Sequence, residues 1–493
     1  MVAALDEASF PDPLPEKPVT GVNADTRRLQ PGEIFVALPG NHVDGARFVR
    51  DAVRLGAAAI VTQSSDHVDS IVPLVRVRDA RTALSRLAAT YWNNPSRELR
   101  VVGITGTDGK TTTTFLTAAV LEGGGHSTGY VSTVDLKIGR RRLSNPDRTT
   151  TPQPPELHRR LREMVDAGNT HAVVESSSHG LRLSRLNDVA YDVAVMTNVT
   201  SEHLELHGTV EQYRLDKARL FTMLGRSYDK GVERVGVVNA DDPSADLFLR
   251  ATAGPTLTYG TYRHADVVAE DIRQTPEGIR FKVRHQQARE EVLLPLLGAY
   301  NVYNALAAAC VGIWKGIPLA SVLRALEGFT GVPGRMQRID VGQPFGVVVD
   351  YAHTADALEK ALRTLRPATS GKLIVVFGSA GERDRAKRPA MGAVAQAWAD
   401  YTILTNEDPR GEDELAILRE IAAGAEREGG LECRDFALVS DRQEAIHAAF
   451  ERSEAGDIVL LAGKGHETSI ELADRSLPWS DADAARVALR SFS

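Results

Sequence analysis

The chain has 493 residues, of which 43% are hydrophobic and 25% charged, a composition that excludes a disordered, collagenous or membrane-spanning protein. Its net charge is −7 and it has no long basic run with interleaved aromatic residues, so nucleic-acid partners are not expected. A chain of this length can form about two to four domains, with substrate clefts between them.

The cysteines and the N-terminal residues help to predict the cellular compartment. The two cysteines, Cys310 and Cys433, are too far apart in sequence to predict a disulfide scaffold or a zinc site. The first residues lack the basic and then apolar pattern of a signal peptide, and no window reaches the roughly 18 apolar residues of a membrane helix. We therefore expect a cytoplasmic monomer without membrane insertion.

Short apolar runs alternate with helical patterns in the first part of the chain, which predicts parallel sheets covered by helices. The predicted strands are residues 34–38, 57–61, 101–105, 172–175, 193–198 and 235–239. A helical pattern over residues 81–92 is followed by Asn93-Asn94-Pro95-Ser96, which predicts a domain boundary near residue 96.

A second break, Gly331-Val332-Pro333-Gly334, precedes another alternating series. Its predicted strands are residues 347–350, 373–377, 401–405 and 458–462, with helices near 356–366, 388–398 and 441–451. These elements predict a Rossmann-like, doubly wound domain. The expected fold is therefore α/β with three domains, residues 1–96, 97–333 and 334–493.

A glycine-rich segment connects the predicted strand 101–105 to a helix. It reads Gly106-Thr107-Asp108-Gly109-Lys110-Thr111-Thr112. Glycines let the backbone close around a phosphate, Lys110 can meet the outer phosphates, and the Thr111 hydroxyl can hold Mg²⁺. The segment predicts ATP binding, although the usual pattern has a glycine where this chain has Ile104. The alternative interpretation is a glycine-rich turn beside a solvated lysine.

Motifs along nearly the whole chain resemble those of the Mur ligase family, ATP-dependent enzymes that add amino acids to the bacterial cell-wall precursor. Besides the phosphate loop they are Asp25-Thr26-Arg27, Glu175 to Leu181 with Arg185, Asn198 with Glu202-His203-Leu204 and His207-Gly208, Tyr213 to Phe221 around Lys217, Asn301 with Asn304, Pro333-Gly334-Arg335, Asp350 to Thr354, Gly381 to Pro389, Glu407-Asp408-Pro409-Arg410 and Gly463 to Glu467. The resemblance implies a P-loop ATPase-like central sheet, and it is strongest to the branch that adds the third amino acid.

The reaction that the resemblance implies has two steps on UDP-N-acetylmuramoyl-L-alanyl-D-glutamate. A D-glutamate carboxylate attacks the γ-phosphate of ATP to give an acyl phosphate and ADP. The amine of a diamino acid then displaces phosphate and forms the amide. Both steps bring anions together, so the enzyme must mainly neutralise charge and position groups.

The resemblance implies that Thr111, Glu175, His203 and Lys217 hold Mg²⁺, with Lys217 carbamylated by CO₂. It also implies that Lys110, Glu175, His203, Lys217 and His353 are catalytic. From the residues alone, Glu175 can also be a helix cap, His203 a structural histidine and Lys217 an exposed helix lysine.

Further residues are expected to hold the nucleotide and the UDP-substrate. Asn301, Asn304, Arg335 and Asp350 match the family's nucleotide contacts, although the two asparagines can also be helix-capping amides. The expected substrate contacts are Thr26, Arg27, Asn41, Thr150, Thr151, Ser177, Arg185, Lys217 and Arg383. The segments around Asn41 can also be simple turns.

The incoming amino acid is expected at Glu407, Asp408, Arg410, Gly463 and Glu467, at the ends of predicted strands. The family's diaminopimelate motif Asp-Asn-Pro-Arg appears here as Glu407-Asp408-Pro409-Arg410. Arg410 suits the second carboxylate of meso-diaminopimelate, whereas Asp408 favours the ammonium of lysine or ornithine unless it pairs with Arg410. The retained arginine favours meso-diaminopimelate.

Two other classes of function stay open at this point. One is another branch of the family, such as the D-glutamate-adding, dipeptide-adding or folylpolyglutamate ligases. The other is a P-loop ATPase switch or a binding module without catalysis. The presence of Lys110, Thr111, Glu175, His203 and Lys217 together favours a working ligase.

Overall fold

The computed structural model describes residues 4–5, 8–9, 18–40, 44–64, 71–145, 149–200, 207–262, 264–275 and 277–490. The chain divides into two compact units, Met1–Glu270 with Lys282–Val292 and Tyr303–Leu326, and Asp271–Phe281 with Leu293–Val302 and Glu327–Ser493. Every helix in the described ranges is too short or too polar to span a bilayer. The predicted boundaries at residues 96 and 333 stay predictions.

The N-terminal sheet of the first unit has four parallel strands. They are β1 Gly21–Asn23, β2 Glu33–Ala37, β3 Ala59–Thr62 and β4 Leu74–Arg76, with helices α1 Val49–Arg54 and α2 Ala80–Tyr91 and a 3₁₀ turn at Gly45–Phe48. Alternate residues of β2 enter two cores, Ile34 and Val36 on one face and Phe35 on the other. Because helices cover both faces, these strands read as nearly continuous apolar runs.

The central sheet has eleven strands in the order β15-β14-β13-β12-β11-β10-β5-β9-β6-β7-β8. The strands are β5 Arg100–Thr105, β6 Thr128–Val131, β7 Asp135–Ile138, β8 Arg141–Ser144, β9 His171–Glu175, β10 Val193–Met196, β11 Val235–Asn239, β12 Thr256–Gly260, β13 Val267–Thr275, β14 Gly278–His285 and β15 Ala288–Leu294. Strands β6, β9, β5, β10, β11 and β12 run parallel. Because β9 and β10 flank β5, the loops that follow these three strands meet at one edge of the sheet.

In the described part of the chain, these helices accompany the central sheet. They are α3 Lys110–Gly123, α4 Pro154–Asp166, α5 Ser178–Arg182, α6 Val210–Arg226, α7 Ala245–Ala251, α8 Tyr300–Trp314 and α9 Leu319–Glu327, with a 3₁₀ turn at Pro95–Arg97. The core between α4, α6 and the sheet includes Leu157, Leu161, Tyr191, Leu220 and Phe221, all fully buried.

The C-terminal sheet lies in the second unit, in the order β16-β17-β21-β18-β19-β20. Its elements are β16 Gln337–Arg338, β17 Gly346–Asp350, α10 Ala355–Leu365, a 3₁₀ turn at Arg366–Ala368, β18 Leu373–Phe377, α11 Lys387–Trp398, β19 Tyr401–Leu404, α12 Glu414–Arg427, β20 Phe436–Leu438, α13 Arg442–Glu451, β21 Ile458–Ala462, the hairpin of β22 Ser469–Glu471 and β23 Ser476–Pro478, and α14 Asp481–Arg490. All strands but β16 are parallel within this sheet.

Helices cover both faces of the C-terminal sheet, so the doubly wound prediction is confirmed. One core joins Val375 to Leu362 and Ile421, and the other joins Val376 to Ile446. The predicted strands 373–377 and 458–462 coincide with β18 and β21 to the residue.

Candidate functional site

The glycine-rich segment after β5 forms a loop that enters α3 directly. Gly109 precedes the helix with a φ of +81°, a left-handed conformation that favours glycine. A Cβ atom at Gly109 would meet Oδ1 of Asn304, so a larger residue would strain the backbone and displace the Asn304 side chain. The loop therefore presents its backbone N–H groups at the start of a helix, which is an arrangement that binds anions.

Residues that follow β10 hold this loop through hydrogen bonds. The Thr197 hydroxyl donates to the carbonyl of Asp108 over 2.7 Å, and the Asp108 amide donates to Oδ1 of Asn198 over 3.0 Å. Tyr213 adds a hydroxyl contact of 3.1 Å with Thr107. The sequence motifs included Asn198 and Tyr213 but gave no role to either residue.

Two lysines converge on the same loop. Nζ of Lys110 donates to the carbonyls of Gly106 and Thr107 over 3.1 and 2.7 Å. Nζ of Lys217 donates to the carbonyl of Gly106 over 2.6 Å. Lys217 is only 1% exposed and its ammonium lies 4.4 Å from the ring centroid of Tyr213. The interpretation of Lys217 as an exposed helix lysine is therefore wrong.

Glu175 ends β9 fully buried beside the phosphate loop. Its carboxylate accepts hydrogen bonds from the Thr133 amide over 3.2 Å and from the Thr133 hydroxyl over 3.0 Å. Burial raises the pKa of Glu175, against the opposing effects of the Lys110 charge and of hydrogen bonds from Thr111 and Thr133. The alternative of a helix cap is wrong, because Ser177 caps α5.

The donor atoms at this point fit a magnesium ion. The Glu175 carboxylate and the Thr111 hydroxyl are hard oxygen donors within hydrogen-bonding reach of each other. Lys217 contributes a donor rather than a ligand as long as it stays an ammonium. His203 lies outside the described residues, and among those described no cluster of three His, Cys, Asp or Glu side chains could hold a metal.

The predicted substrate residues around Glu175 lie together. The Thr151 hydroxyl donates to the carbonyl of Glu175 over 2.8 Å and contacts the Ser177 hydroxyl at 2.9 Å. Thr150 accepts from Thr133 over 3.0 Å, and Arg185 donates to the carbonyl of Thr151 over 2.8 Å. Burial, assisted by the charge of Arg81, lowers the pKa of Arg185.

Thr26 and Arg27 lie in a different part of the first unit, after β1. Arg27 is exposed and pairs with Asp25 over 2.6 Å, and this partner holds the pKa of Asp25 below its usual range. Thr26 is half-buried. Within the described ranges no hydrogen bond joins either residue to the Glu175 group, and Asn41 lies outside those ranges.

The structure shows a buried histidine–carboxylate pair beside Lys217 that the sequence did not predict. His207 Nδ1 lies 2.8 Å from Oδ2 of Asp216, and Nε2 lies 3.2 Å from the Ser178 hydroxyl. Burial raises the pKa of Asp216, but hydrogen bonds from His207 and Arg182 outweigh it and leave the pKa below its ordinary value. The motif contained His207, but nothing in the sequence identified its partner.

The two asparagines of α8 have different roles, although both are buried. Oδ1 of Asn304 accepts from the Thr113 hydroxyl over 3.2 Å, next to the phosphate loop. Nδ2 of Asn301 donates to the carbonyl of Leu297 over 2.7 Å, a local bond just before the helix. The prediction that both residues serve the nucleotide stays untested.

In the second unit, Arg335 and Asp350 lie around Tyr351. The Arg335 guanidinium lies 4.9 Å from the Tyr351 ring centroid, and the Asp350 carboxylate accepts from the Met336 amide over 2.7 Å. Burial raises the pKa of Asp350, whereas it lowers the pKa of His353. His353 Nδ1 donates to the carbonyl of Tyr351 over 2.9 Å, which leaves Nε2 as an acceptor.

The loops after β17, β18, β19 and β21 come together, as predicted. The Gly381 amide donates to the carbonyl of Asp408 over 2.8 Å. A Cβ atom on Gly463 would lie 3.0 Å from Oε2 of Glu407, and the ring of Tyr351 lies 4.9 Å from that of His466. Arg383, in the loop after β18, is exposed.

A buried lysine organises the acidic residues of this cluster. Nζ of Lys464 is fully enclosed and donates to Asp408 over 2.7 Å and to Glu467 over 2.6 Å. Arg410 donates instead to the carbonyl of Gly381 over 3.0 Å. The alternative that Asp408 pairs with Arg410 is therefore wrong, and Lys464 is the residue that the sequence interpretation missed.

Glu407 is buried beneath the same loops. Burial raises its pKa to about 7, although Lys387, Lys464 and Arg442 act to lower it. Its Oε2 atom has no hydrogen-bond partner in the described part of the chain. A carboxyl group with these properties changes charge near neutral pH.

Comparison with known proteins agrees with this geometry. The model for the catalytic domain of the Mur ligase family matches residues 18–92, the Mur ligase middle domain matches 104–312, and the Mur ligase glutamate ligase domain matches 334–465. The UDP-N-acetylmuramyl-tripeptide synthetase of Roseiflexus sp. (strain RS-1) is 50% identical, over 98% of this chain and 96% of that protein. The UDP-N-acetylmuramoyl-L-alanyl-D-glutamate–2,6-diaminopimelate ligase of Geobacillus kaustophilus is 41% identical, over 96% and 95%.

Solved structures give the same result. A UDP-N-acetylmuramoyl-L-alanyl-D-glutamate–2,6-diaminopimelate ligase superposes with a TM-score of 0.69 at 32% identity, covering 97% of this chain and 96% of that one. A MurF ligase from Thermotoga maritima in complex with ADP shares the fold, with a TM-score of 0.60 at 22% identity, over 96% and 97%. The chain belongs to the Mur ligase family and is an enzyme, an ATP-dependent ligase that forms amide bonds.

Proposed function

We propose that this ligase adds meso-diaminopimelate, as the third amino acid, to UDP-N-acetylmuramoyl-L-alanyl-D-glutamate in peptidoglycan synthesis. The Geobacillus relative is named for that reaction, and the Roseiflexus relative is named for the tripeptide product without its amino acid. The observation that carries the proposal is the charge arrangement at Arg410, Asp408, Lys464 and Glu467.

The charges fit an amino acid whose far end carries both an ammonium and a carboxylate. Arg410 has no carboxylate partner among the described residues, so its guanidinium is free to take the second carboxylate of the substrate. Lys464 neutralises Asp408, which therefore does not repel that carboxylate. Glu467 and Glu407 supply negative charge for the distal ammonium. Lysine or ornithine would leave Arg410 without a carboxylate.

The reaction on this site proceeds through an acyl phosphate. The D-glutamate carboxylate attacks the γ-phosphate of ATP, and ADP leaves; the amine of the diamino acid then attacks the acyl carbon, and phosphate leaves. Lys110 and the N–H groups of residues 106–112 hold and neutralise the phosphates. Lys110 donates to two loop carbonyls, and its ammonium has a third N–H that can meet the nucleotide.

Magnesium, when bound, shields the phosphate charge, and we assign it to Thr111, Glu175, His203 and Lys217. Lys217 serves there as a carbamate, because CO₂ converts its amine to an anion with loss of a proton. The buried position of Lys217 beside the loop supports this assignment, since a buried ammonium next to a metal ion would be repelled.

The remaining assignments divide the substrate between the predicted domains. Residues 1–96 hold the uridine diphosphate through Thr26, Arg27 and Asn41. Residues 97–333 hold the dipeptide and ATP, and residues 334–493 hold the amino acid. The assigned contacts are Thr150, Thr151, Ser177 and Arg185 for the dipeptide, Asn301, Asn304, Arg335, Asp350 and His353 for the nucleotide, and Arg383 for substrate. The enzyme acts as a cytoplasmic monomer in this proposal.

The test is a product assay with purified enzyme, ATP, magnesium and the UDP-muramoyl dipeptide. Equal concentrations of meso-diaminopimelate, lysine and ornithine are offered together, and the tripeptide products are separated by mass. Diaminopimelate should dominate. A lysine or ornithine product would show that Asp408 sets the specificity, and ADP release without any tripeptide would overturn the proposed ligation.

A further inference from the structure

A cavity of about 550 Å³ lies at the edge of the central sheet away from the phosphate loop. Arg100 and His171, which line it, are paired at the beginnings of β5 and β9, whereas Glu175 lies at the other end of β9. His171 and Glu175 are four residue steps apart along the extended strand, a distance of about 13 Å. The cavity is therefore distinct from the candidate active site.

Basic side chains outnumber acidic ones around this cavity. Arg97, Arg100 and Lys315 line it, and none of them forms an ion pair within the described ranges. The two acidic residues at the cavity are engaged, Glu98 with Arg162 and Asp229 with the backbone of its own turn. A pocket lined by unpaired cations attracts anions.

Lys230 also lines the cavity, but its ammonium is held by protein acceptors and does not add a free charge. Its Nζ donates to Asp192 and to the carbonyls of Leu99 and Ala190, all within 2.7 Å. Since this ammonium is satisfied, a ligand must be recognised by the other cations and by the neighbouring histidine.

His171 supplies a buried polar atom without a partner. The residue is 3% exposed, its Nδ1 lies 2.9 Å from the Thr170 hydroxyl, and its Nε2 has no hydrogen-bond partner in the described part of the chain. Burial, together with the charges of His126, Lys315, Arg100 and Lys230, lowers the pKa of His171 to about 3. The Thr170 hydroxyl also lies 3.2 Å from the Ser127 carbonyl, so the neutral ring donates from Nε2 in the arrangement in which Thr170 turns its proton to Nδ1.

Tyr228 adds an exposed aromatic ring to the cavity, 54% exposed, with the Arg97 guanidinium 4.8 Å from its centroid. We propose that this cavity is a second anion site, built by Arg97, Arg100, Lys315 and His171 for a phosphate-type oxyanion. The oxyanion is either free or part of a nucleotide whose base lies on Tyr228. The volume lies within the range of small-molecule sites, roughly 300–1,000 Å³.

The test follows the ¹⁵N signal of His171 in histidine-labelled full-length enzyme, with the signal assigned through His171→Gln. Pyrophosphate and uridine monophosphate are the two probes. We expect the signal to shift and saturate, with a Kd below about 1 mM. The double variant Arg100→Ala/Lys315→Ala should weaken binding at least about tenfold, because it removes two charge-assisted contacts.

Arg250→Ala is the matched control, because it removes an exposed arginine that does not line the cavity. It should leave the His171 shift unchanged. Should the double variant not fold, Lys315→Met alone takes its place. If uridine monophosphate binds more tightly than pyrophosphate, and Tyr228→Ala abolishes this difference, the ligand is a nucleotide. If the two probes bind equally, the ligand is a free oxyanion. A His171 signal unmoved by either probe at about 10 mM, or equal affinity in the wild type and the double variant, overturns the proposal.

Discussion

The phosphate loop and the cluster of Asp408, Arg410, Lys464 and Glu467, here called the diamino-acid cluster after its proposed ligand, neutralise charge in different ways. At the phosphate loop the groups are neighbours in sequence, since backbone amides, Lys110 and Thr111 all come from residues 106–112. At the diamino-acid cluster the decisive pair joins Asp408 to Lys464, which is 56 residues further along the chain. A local motif can therefore be recognised from its spacing, whereas a long-range ion pair has to be observed in the fold.

The largest expected effect is at the phosphate loop. Lys110→Ala should reduce kcat by about 10³-fold, because no other residue of the loop carries the positive charge that meets the phosphates. Circular dichroism and thermal unfolding should stay close to wild type. Normal turnover in this variant would remove the assignment of Lys110.

Lys217→Ala should reduce turnover by about 10²-fold, because the carbamate that we propose is lost from the proposed metal site. Short-chain carboxylic acids in the assay should restore part of the activity by replacing the missing anion. Lys137→Ala removes a lysine from an ion pair with Glu122 outside the site and should have little effect. If carboxylates give no rescue and CO₂ depletion leaves the wild type fully active, Lys217 acts as a plain ammonium.

Lys464→Met tests the long-range pair in the second region. It leaves the buried carboxylate of Asp408 and the partly buried carboxylate of Glu467 without their shared counter-charge, which costs about 3–5 kcal/mol of stability, and it should raise the KM for diaminopimelate by about tenfold. Asp408→Asn in the same chain should recover part of both losses. Lys360→Met removes the exposed pair with Asp356 and should change neither. Strictly additive effects of the two substitutions would show that Lys464 does not act through Asp408.

The smallest effect concerns pH. The pKa of Glu407, raised by burial to about 7, leaves its carboxyl largely neutral below pH 7 and ionised above it. Because the ionised form attracts the substrate's ammonium, the KM for diaminopimelate should fall as pH rises through 7, by at most about tenfold per unit. Glu407→Gln should have a flatter profile. An unchanged profile in the variant would assign the titration to another group.

The fold and the phosphate loop followed from the sequence because their signals are local. Buried parallel strands such as β5 are continuous apolar runs, and glycine–lysine spacing identifies the loop. The exposed strand β8, Arg141–Ser144, has no such run and was missed. The same holds for the sites: Glu175 was predicted at a strand end, whereas the Lys464 bridge and the His207–Asp216 pair depend on which loops the topology brings together.

The central claim is that Arg410 recognises the second carboxylate of the incoming amino acid. The most direct measurement compares kcat/KM for meso-diaminopimelate and for lysine, in the wild type and in Arg410→Ala. We expect the wild type to prefer diaminopimelate and the variant to lose at least about tenfold of this preference, through a lower kcat/KM for diaminopimelate alone. A wild-type preference for lysine, or an equal loss with both amino acids, would contradict it.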